Sequence, residues 1–369
     1  MKITCSKTDL VETLSVVQRA VSAKSNLAAL EGVLLKAENQ KLTILGYNME
    51  YGIITSIEAQ VEKEGDIVLS AKLFTEIVRK LPFDEVSINV SDTLNTTIQS
   101  GNSDFLLTGI SGSEFPHLPD IKDPEVVELP LETIKSMIRQ TIFAVSDDDS
   151  KPTHMGTLFD IKDGEITLVS VDGYRLALRK EKIKQDTEMN FIVPGKALND
   201  VLRLLPDGED KKLKISYSLH HIKFEIDNYQ IISRLLEGEF LDYKASIPET
   251  FKTTVSIDTK TFIDSIERVS LMIMDRLKSS VHCMISENQI RLLCQTTIGK
   301  AADEISDVKT EGEDVEIGFN SKYMVDALKN AETDEVVIKL DTPISPIKIM
   351  PKTGDNFLFL VLPVKLRYS

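Results

Sequence analysis

DIVLSAKLFTEIVRKL, from Asp66 to Leu81, returns as NFIVPGKALNDVLRLL between Asn190 and Leu205 and as EIGFNSKYMVDALKNA between Glu316 and Ala331. Each copy reads as strand, loop and helix, and the loop lysines Lys72, Lys196 and Lys322 lie 124 and 126 residues apart. Another strand pattern follows each helix, in EVSINVS from Glu85, KLKISYS from Lys212 and EVVIKL from Glu335. A second motif, strand, polar turn and strand, recurs at a similar offset in LLKAENQKLTIL from Leu34, LFDIKDGEITLV from Leu158 and MISENQIRLLC from Met284. Ahead of each hairpin the apolar residues fall at helical spacing: Leu10, Leu14 and Val17, then Ile134, Ile138 and Ile142, then Phe262, Ile266 and Val269. Two patterns sharing one period make the chain three tandem copies of an α+β unit, each with two helices and two sets of strands.

The pattern resets near Pro119 to Pro124 and again near Pro248 to Thr250, both polar and proline-marked. Three domains are therefore expected, at 1 to 123, 124 to 249 and 250 to 369. Units of about 120 residues can each enclose a core, unlike solenoid repeats of about 20 to 50 residues. No apolar run approaches the roughly 20 residues that span a bilayer, and no apolar signal-peptide core follows Met1, so a cytoplasmic protein is expected. Cys5, Cys283 and Cys294 lack CxxC spacing and sit in strand-like stretches, which predicts buried thiols rather than disulfides or zinc ligands. A net charge of -15 argues against indiscriminate sticking to nucleic acid or anionic membranes, yet leaves room for a basic patch on one face.

Such a patch is visible in the repeated helices. Their apolar stripes are Phe74, Ile77, Val78 and Leu81, then Leu198, Val201, Leu202 and Leu205, then Met324, Ala327, Leu328 and Ala331. The other face repeats a base, an acid and a base: Lys72, Glu76, Arg79; Lys196, Asp200, Arg203; Lys322, Asp326, Lys329. A solvated face laced by ion pairs is one reading, and a surface for a polyanion is the other. Threefold recurrence in an acidic chain favours the second, with Arg139 and Arg268 as weaker contributors. There is no recognition-helix signature, no zinc finger and no tryptophan, so any nucleic-acid contact would ignore sequence.

Catalytic motifs are missing. The chain has no GxGxxG, P-loop, GxSxG or HExxH, and neither a cofactor nor a metal is expected. Asp147, Asp148 and Asp149 read as an acidic solvent loop, and the five histidines lack ligand spacing. An enzyme with dispersed acid and base residues would look equally blank, and a three-domain scaffold that ignores DNA is a further alternative. Two stretches read as recognition surface: VDGYRLA from Val171, where Tyr and Arg flank a turn, and FLFLVLPVKLRYS from Phe357, whose apolar run continues past Pro363.

In combination VDGYRLA, FIVPGKAL from Phe191, SEFPHLPDI from Ser113, GEFLDYKASIP from Gly238, IGFNSKYMVDAL from Ile317 and the ending LPVKL from Leu362 resemble the bacterial beta sliding clamp, the processivity subunit of the replicative DNA polymerase. The resemblance covers the whole chain. It implies three clamp domains per chain, two chains joined head to tail as a ring around duplex DNA, helices lining the hole and sheets outside. Bases then expected to face DNA are Lys24, Lys72, Arg79, Lys80, Arg139, Lys196, Arg203, Arg268, Lys322 and Lys329. The implied pocket for short motifs of the polymerase catalytic subunit, the clamp loader and other clamp users is made of His154, Val171, Gly173, Tyr174, Arg175, Leu176, Leu241, Ser246, Asn320, Tyr323, Ile344, Pro346, Leu360, Val361, Leu362, Pro363 and Val364. The implied dimer contact joins Phe105 and Leu107 to the stretch Leu271, Met272 and Ile273. Three departures stand out: Tyr174 where the family often has His, Leu241 for a usual proline, and Arg367, Tyr368 and Ser369 after the usual terminal leucine.

Overall fold

The computed structural model describes residues 1–121, 124–184, 188–206, 211–273, 280–306 and 308–366; the three C-terminal departures lie outside them. Among these residues the α-helices are α1 (Lys7–Val17), α2 (Ala71–Lys80), α3 (Leu131–Ile142), α4 (Gly195–Leu204), α5 (Thr259–Ser270) and α6 (Ser321–Lys329), two for each repeat. Their stripes are buried as the spacing demands: Phe74 and Val78 in α2, Leu198 and Val201 in α4, and Met324 and Leu328 in α6 are at most 1% exposed. The first hairpin turns at Asn39 and Gln40 and the second at Asp163 and Gly164, where both central residues take positive φ, the geometry of a type I′ turn. Cys5, Cys283 and Cys294 are buried free thiols. Burial, aided at Cys5 by Asp9 and Asp84, pushes the Cys5 and Cys283 thiols up to about 12. Among the described residues no helix is long and apolar enough to cross a membrane.

Compactness divides the chain in two rather than three. One unit holds Met1–Pro130 together with the strands between Lys212 and Arg234, and the other holds Leu131–Arg203 and the chain from Leu236 onward. The cause is main-chain pairing across the repeats. In the first unit the 13-residue strand Tyr51–Lys63 pairs through its first residues with Tyr229–Arg234 of the second repeat, and through its last with Lys2–Ser6. In the second unit Arg175–Lys182 of the second repeat pairs with the chain's last strand, Phe357–Val361. Each long sheet therefore runs through a repeat boundary, and the middle repeat contributes strands to both units. The boundaries are proline-marked in sequence but hydrogen-bonded through in space, so periodicity and compactness cut the chain differently.

In the second unit the nine-stranded sheet has different partners on its two faces, and alternation along Phe357–Val361 shows it. Phe357, Phe359 and Val361 enter a large core that includes α5 and α6. Leu358 and Leu360 point the other way, into a smaller cluster with Val171, Leu176, Leu178 and Tyr243. A separate four-stranded sheet has the strand Gly299–Ser306 at one edge and Val315–Phe319 at the other.

Candidate functional site

The smaller cluster covers one face of the nine-stranded sheet and reaches the end at which Arg175 stands. Arg175 pairs with Val361, and Val361 with Ile347, so the three strands end in register. Beyond that line lie Tyr174, Leu362 and the turn Thr342–Pro346. Val171, Leu176 and Leu360 are buried beneath, and Phe240 and Ile247 pack partly exposed against them. The segments that meet here carry apolar side chains that a folded chain normally hides: Ile344 is 82% exposed, Tyr174 62%, and Leu241, Leu362, Val364 and Met155 between 37% and 42%. Met155, Phe240 and Ile247 lie outside the set expected from sequence; the exposure of Met155 has no local sequence signal.

Pro363 explains how the tail leaves the sheet. The Leu362 N–H still donates to the Tyr174 carbonyl at 2.8 Å, the proline has no N–H to give, and Val364 N–H donates to the Gly318 carbonyl at 2.8 Å in the four-stranded sheet. That crossing requires a glycine at Gly318, because a Cβ there would lie 2.4 Å from the Val364 carbonyl oxygen and 2.8 Å from the Leu366 side chain. Val361 departs from the expected wall. It has no exposed surface and belongs to the core on the opposite sheet face, because neighbours on a strand alternate.

The turn at Gly173 is tied down from several sides. Gly173 takes φ 90°, a left-handed conformation costly for a residue with a side chain. The Asp172 carboxylate accepts the Tyr174 and Arg175 N–H groups through Oδ1 at 2.9 and 3.0 Å, and Arg175 Nε through Oδ2 at 2.9 Å. The Arg175 guanidinium also sits over the Tyr323 ring at 4.6 Å, and Tyr174 stacks on that ring at 6.0 Å. Asn320 caps α6 by accepting from the Lys322 and Tyr323 N–H groups, and so orients Tyr323. His154 lies 6.1 Å from Phe240, and burial, with Lys151 nearby, depresses its imidazolium pKa, so the ring is neutral at neutral pH. Ser246 is exposed on the short turn after Tyr243, and Pro346 is half-buried ahead of Ile347.

The same turn occurs in the first repeat with different content. Asn48 Oδ1 accepts the Glu50 and Tyr51 N–H groups, Met49 takes φ 78°, and the Glu50 carbonyl accepts from Arg234 N–H as Tyr174 does from Leu362. Tyr47 pairs with Gly52 where Val171 pairs with Leu176. A Cβ on Gly52 would lie 2.8 Å from Leu118 Cδ2 and 3.1 Å from Tyr47, so that copy is filled by its own side chains.

The bases divide into two groups. Lys72, Arg79 and Lys80 on α2, with Lys24, are exposed and have no carboxylate partner among the described residues, and Lys322 on α6 is likewise exposed. Lys196 is exposed at the start of α4. Four bases are paired with carboxylates: Arg139 with Glu332 at 2.6 Å, Arg268 with Asp303 at 2.6 Å, Lys329 with Glu267 at 2.7 Å and Arg203 with Asp200 at 3.6 Å. Asp200, expected on the exposed face, is only 5% exposed. Asp148 ties the acidic loop by accepting from the Ser150 N–H, which holds its carboxyl below the usual range.

Two of the sheet edges hold or adjoin the residues expected at the dimer contact. Ser103–Thr108 ends the first unit's long sheet, with Phe105 37% and Leu106 67% exposed and Leu107 half-buried. Gly299–Ser306 ends the four-stranded sheet, beside Leu271 at 77% and Ile298 at 56% exposure, while Met272 and Ile273 pack partly on the core. Open edges fringed with apolar side chains invite strand addition.

Three family descriptions match in tandem: DNA polymerase III beta subunit, N-terminal domain over residues 1–119, central domain over 128–242 and C-terminal domain over 244–365. The chain belongs to the beta sliding clamp family. A beta sliding clamp of Halalkalibacterium halodurans is 34% identical, covering 96% of this chain and 97% of its own. That of Bacillus subtilis is 32% identical over 99% of this chain and all of its own, and the crystal structure of the Bacillus subtilis clamp superposes with a TM-score of 0.95 over the full length of both chains. A Bartonella birtlesii sliding clamp solved bound to griselimycin superposes at 0.92, with 27% identity, 99% of this chain and 100% of that one covered. Three tandem clamp domains are thus the fold of this chain, as the sequence period and the resemblance led one to expect.

Proposed function

We propose that this clamp is a DNA polymerase processivity factor that closes around duplex DNA as a head-to-tail dimer and holds polymerase through an apolar pocket formed by the exposed side chains around the Asp172–Arg175 turn. The family acts by tethering and not by catalysis. The tethering role is supported by the exposure of the apolar Tyr174, Leu241, Ile344, Leu362 and Val364 on segments that meet beside a buried apolar cluster, a surface suited to an apolar peptide anchor. The domains are assigned to 1–123, 124–249 and 250–369, and the protein to the cytoplasm. Phe105 and Leu107 on one open edge and Leu271 to Ile273 beside the other are the assigned contact between copies, with Ile298 added on exposure. Lys24, Lys72, Arg79, Lys80, Lys196 and Lys322 are assigned as phosphate contacts on their exposure, and Arg139, Arg203, Arg268 and Lys329 as weaker ones that also pair with carboxylates.

Physically the arrangement separates retention from affinity. A net charge of -15 per chain repels DNA except where bases gather, and a closed ring needs only weak, screened contacts to slide. Protein loaded on a nicked circle is expected to survive a high-salt wash and to leave once the circle is cut; equal loss from both overturns the ring reading. Leu362→Ala and Val364→Ala each remove part of an exposed apolar wall, about 1 to 2 kcal/mol of apolar burial, and so about tenfold in affinity for a polymerase-derived peptide. Neither residue lies on an open strand edge, so the dimer is expected to persist. Unchanged affinity refutes the pocket assignment.

A further inference from the structure

The acid that recurs on the second helix of each repeat has three fates. Glu76 is exposed on α2, and Asp200 is buried in α4 beside Arg203. Asp326, in the middle of α6, accepts a hydrogen bond from Arg175 Nη1 at 2.6 Å. Arg175 belongs to the second repeat and α6, which carries Tyr323, to the third, so this bond ties together two elements that the pocket reading places on either side of the peptide. We propose that Asp326 is a positioning residue that sets the width of the peptide pocket by tethering Arg175, and with it the Asp172–Arg175 turn, to α6. The inference rests on the pocket reading above and goes beyond it, because Asp326 lines no part of the apolar wall.

The geometry makes the tether stiff. The Arg175 side chain is 10% exposed and that of Asp326 31%, so their attraction is less screened than that of a surface pair. Arg175 holds Asp172 and Asp326 through different nitrogens, and the planar guanidinium fixes the angle between them. The turn in turn carries the Tyr174 ring stacked on Tyr323 and the Tyr174 carbonyl bonded to Leu362 N–H. A shift of Arg175 relative to α6 therefore moves Tyr174 and Leu362 against Tyr323.

A separate latch allows the tether to be cut without unfolding the junction. Glu332, just past α6, accepts from Ser136 and Arg139 of α3 at 2.6 Å each, and Gln140 donates to the Ala331 carbonyl at 2.9 Å. Without Asp326, Arg175 keeps Asp172 as its counter-ion, so no buried charge is orphaned. The cost falls on pre-organisation: the pocket must select its binding-competent width from a broader set, which lowers affinity.

The test uses the full-length dimer and a fluorescein-labelled clamp-binding peptide of the cognate replicative polymerase, read by anisotropy, with griselimycin as competitor. Asp326→Asn, which keeps size and loses charge, is expected to weaken the peptide about tenfold, and Asp326→Ala at least as much. Asp326→Glu, which restores the charge, is expected to return affinity to within about threefold of the parent. A purely structural role for Asp326 instead predicts that Asn and Glu lower the melting temperature alike, with no rescue of binding by Glu. Peptide affinity undiminished in Asp326→Asn, or Glu no better than Asn, overturns the inference alone. A parent protein that binds neither peptide nor griselimycin overturns the pocket reading itself.

Discussion

Aspartate at both Phe105 and Leu107 is expected to convert the dimer to single chains and to abolish retention on closed circular DNA. These residues sit on the edge strand Ser103–Thr108, whose one neighbour in the sheet among the described residues is Asn95–Ser100. Phe105 and Leu107 alternate onto one face of that strand, so both side chains enter any pairing contact together. Burying a carboxylate with no partner costs several kcal/mol, and a closed ring contains the contact twice, so four carboxylates are added per ring. Asp104, already on the same strand, adds like-charge repulsion. The fold itself is expected to tolerate the change, because Phe105 is exposed and Leu107 half-buried in the single chain. Size-exclusion with light scattering at micromolar concentration checks the mass, and the nicked-circle assay checks retention. A variant that still elutes as a dimer removes this edge from the interface. A variant that is monomeric yet stays on closed circles removes the ring mechanism.

Local physics made much of this fold readable. The helix stripes, the hairpin turns and the buried thiols follow from spacing, turn residues and side-chain chemistry, and each copy of the repeat carries the same signal. Pairing between distant strands has no such local signal. Nothing in Tyr51–Lys63 or Tyr229–Arg234 announces that the two meet, because antiparallel edges share one generic hydrogen-bond pattern. The same limit applies to the site. Glu76, Asp200 and Asp326 hold one position in one motif, yet their surroundings are set by which neighbour reaches them: solvent, Arg203 or Arg175. Leu360 to Val364 reads as one apolar stretch of pocket wall, although strand alternation alone assigns Val361 to the face opposite Leu360. The turn at Asn48 is hidden in the sequence because Met49 stands where the second repeat has Gly173, so a side-chain difference masks a backbone match.

Glutamate at Lys72, Arg79 and Lys80 together is expected to cut loading onto DNA at least tenfold at moderate salt while leaving the dimer and the pocket unchanged. All three are exposed on α2, whose buried face is formed by Phe74, Ile77 and Val78, so the substitutions do not touch the core. Arg79 and Lys80 also complement the helix C-terminus, and their reversal costs up to about 1 kcal/mol of stability, small against a folded domain. For DNA the change is larger. Every base withdrawn from a phosphate lowers the slope of log affinity against log salt by about 0.9, and the three positions occur twice in a dimer. Loading measured from 50 to 200 mM salt is therefore expected to be weaker and flatter in its salt dependence than in the parent. The fraction that does load is expected to remain on a closed circle through a high-salt wash, because topology and not charge retains it. Loading equal to the parent at every salt removes α2 from the DNA-facing surface. Loss from closed circles after successful loading makes charge, rather than closure, the retaining force.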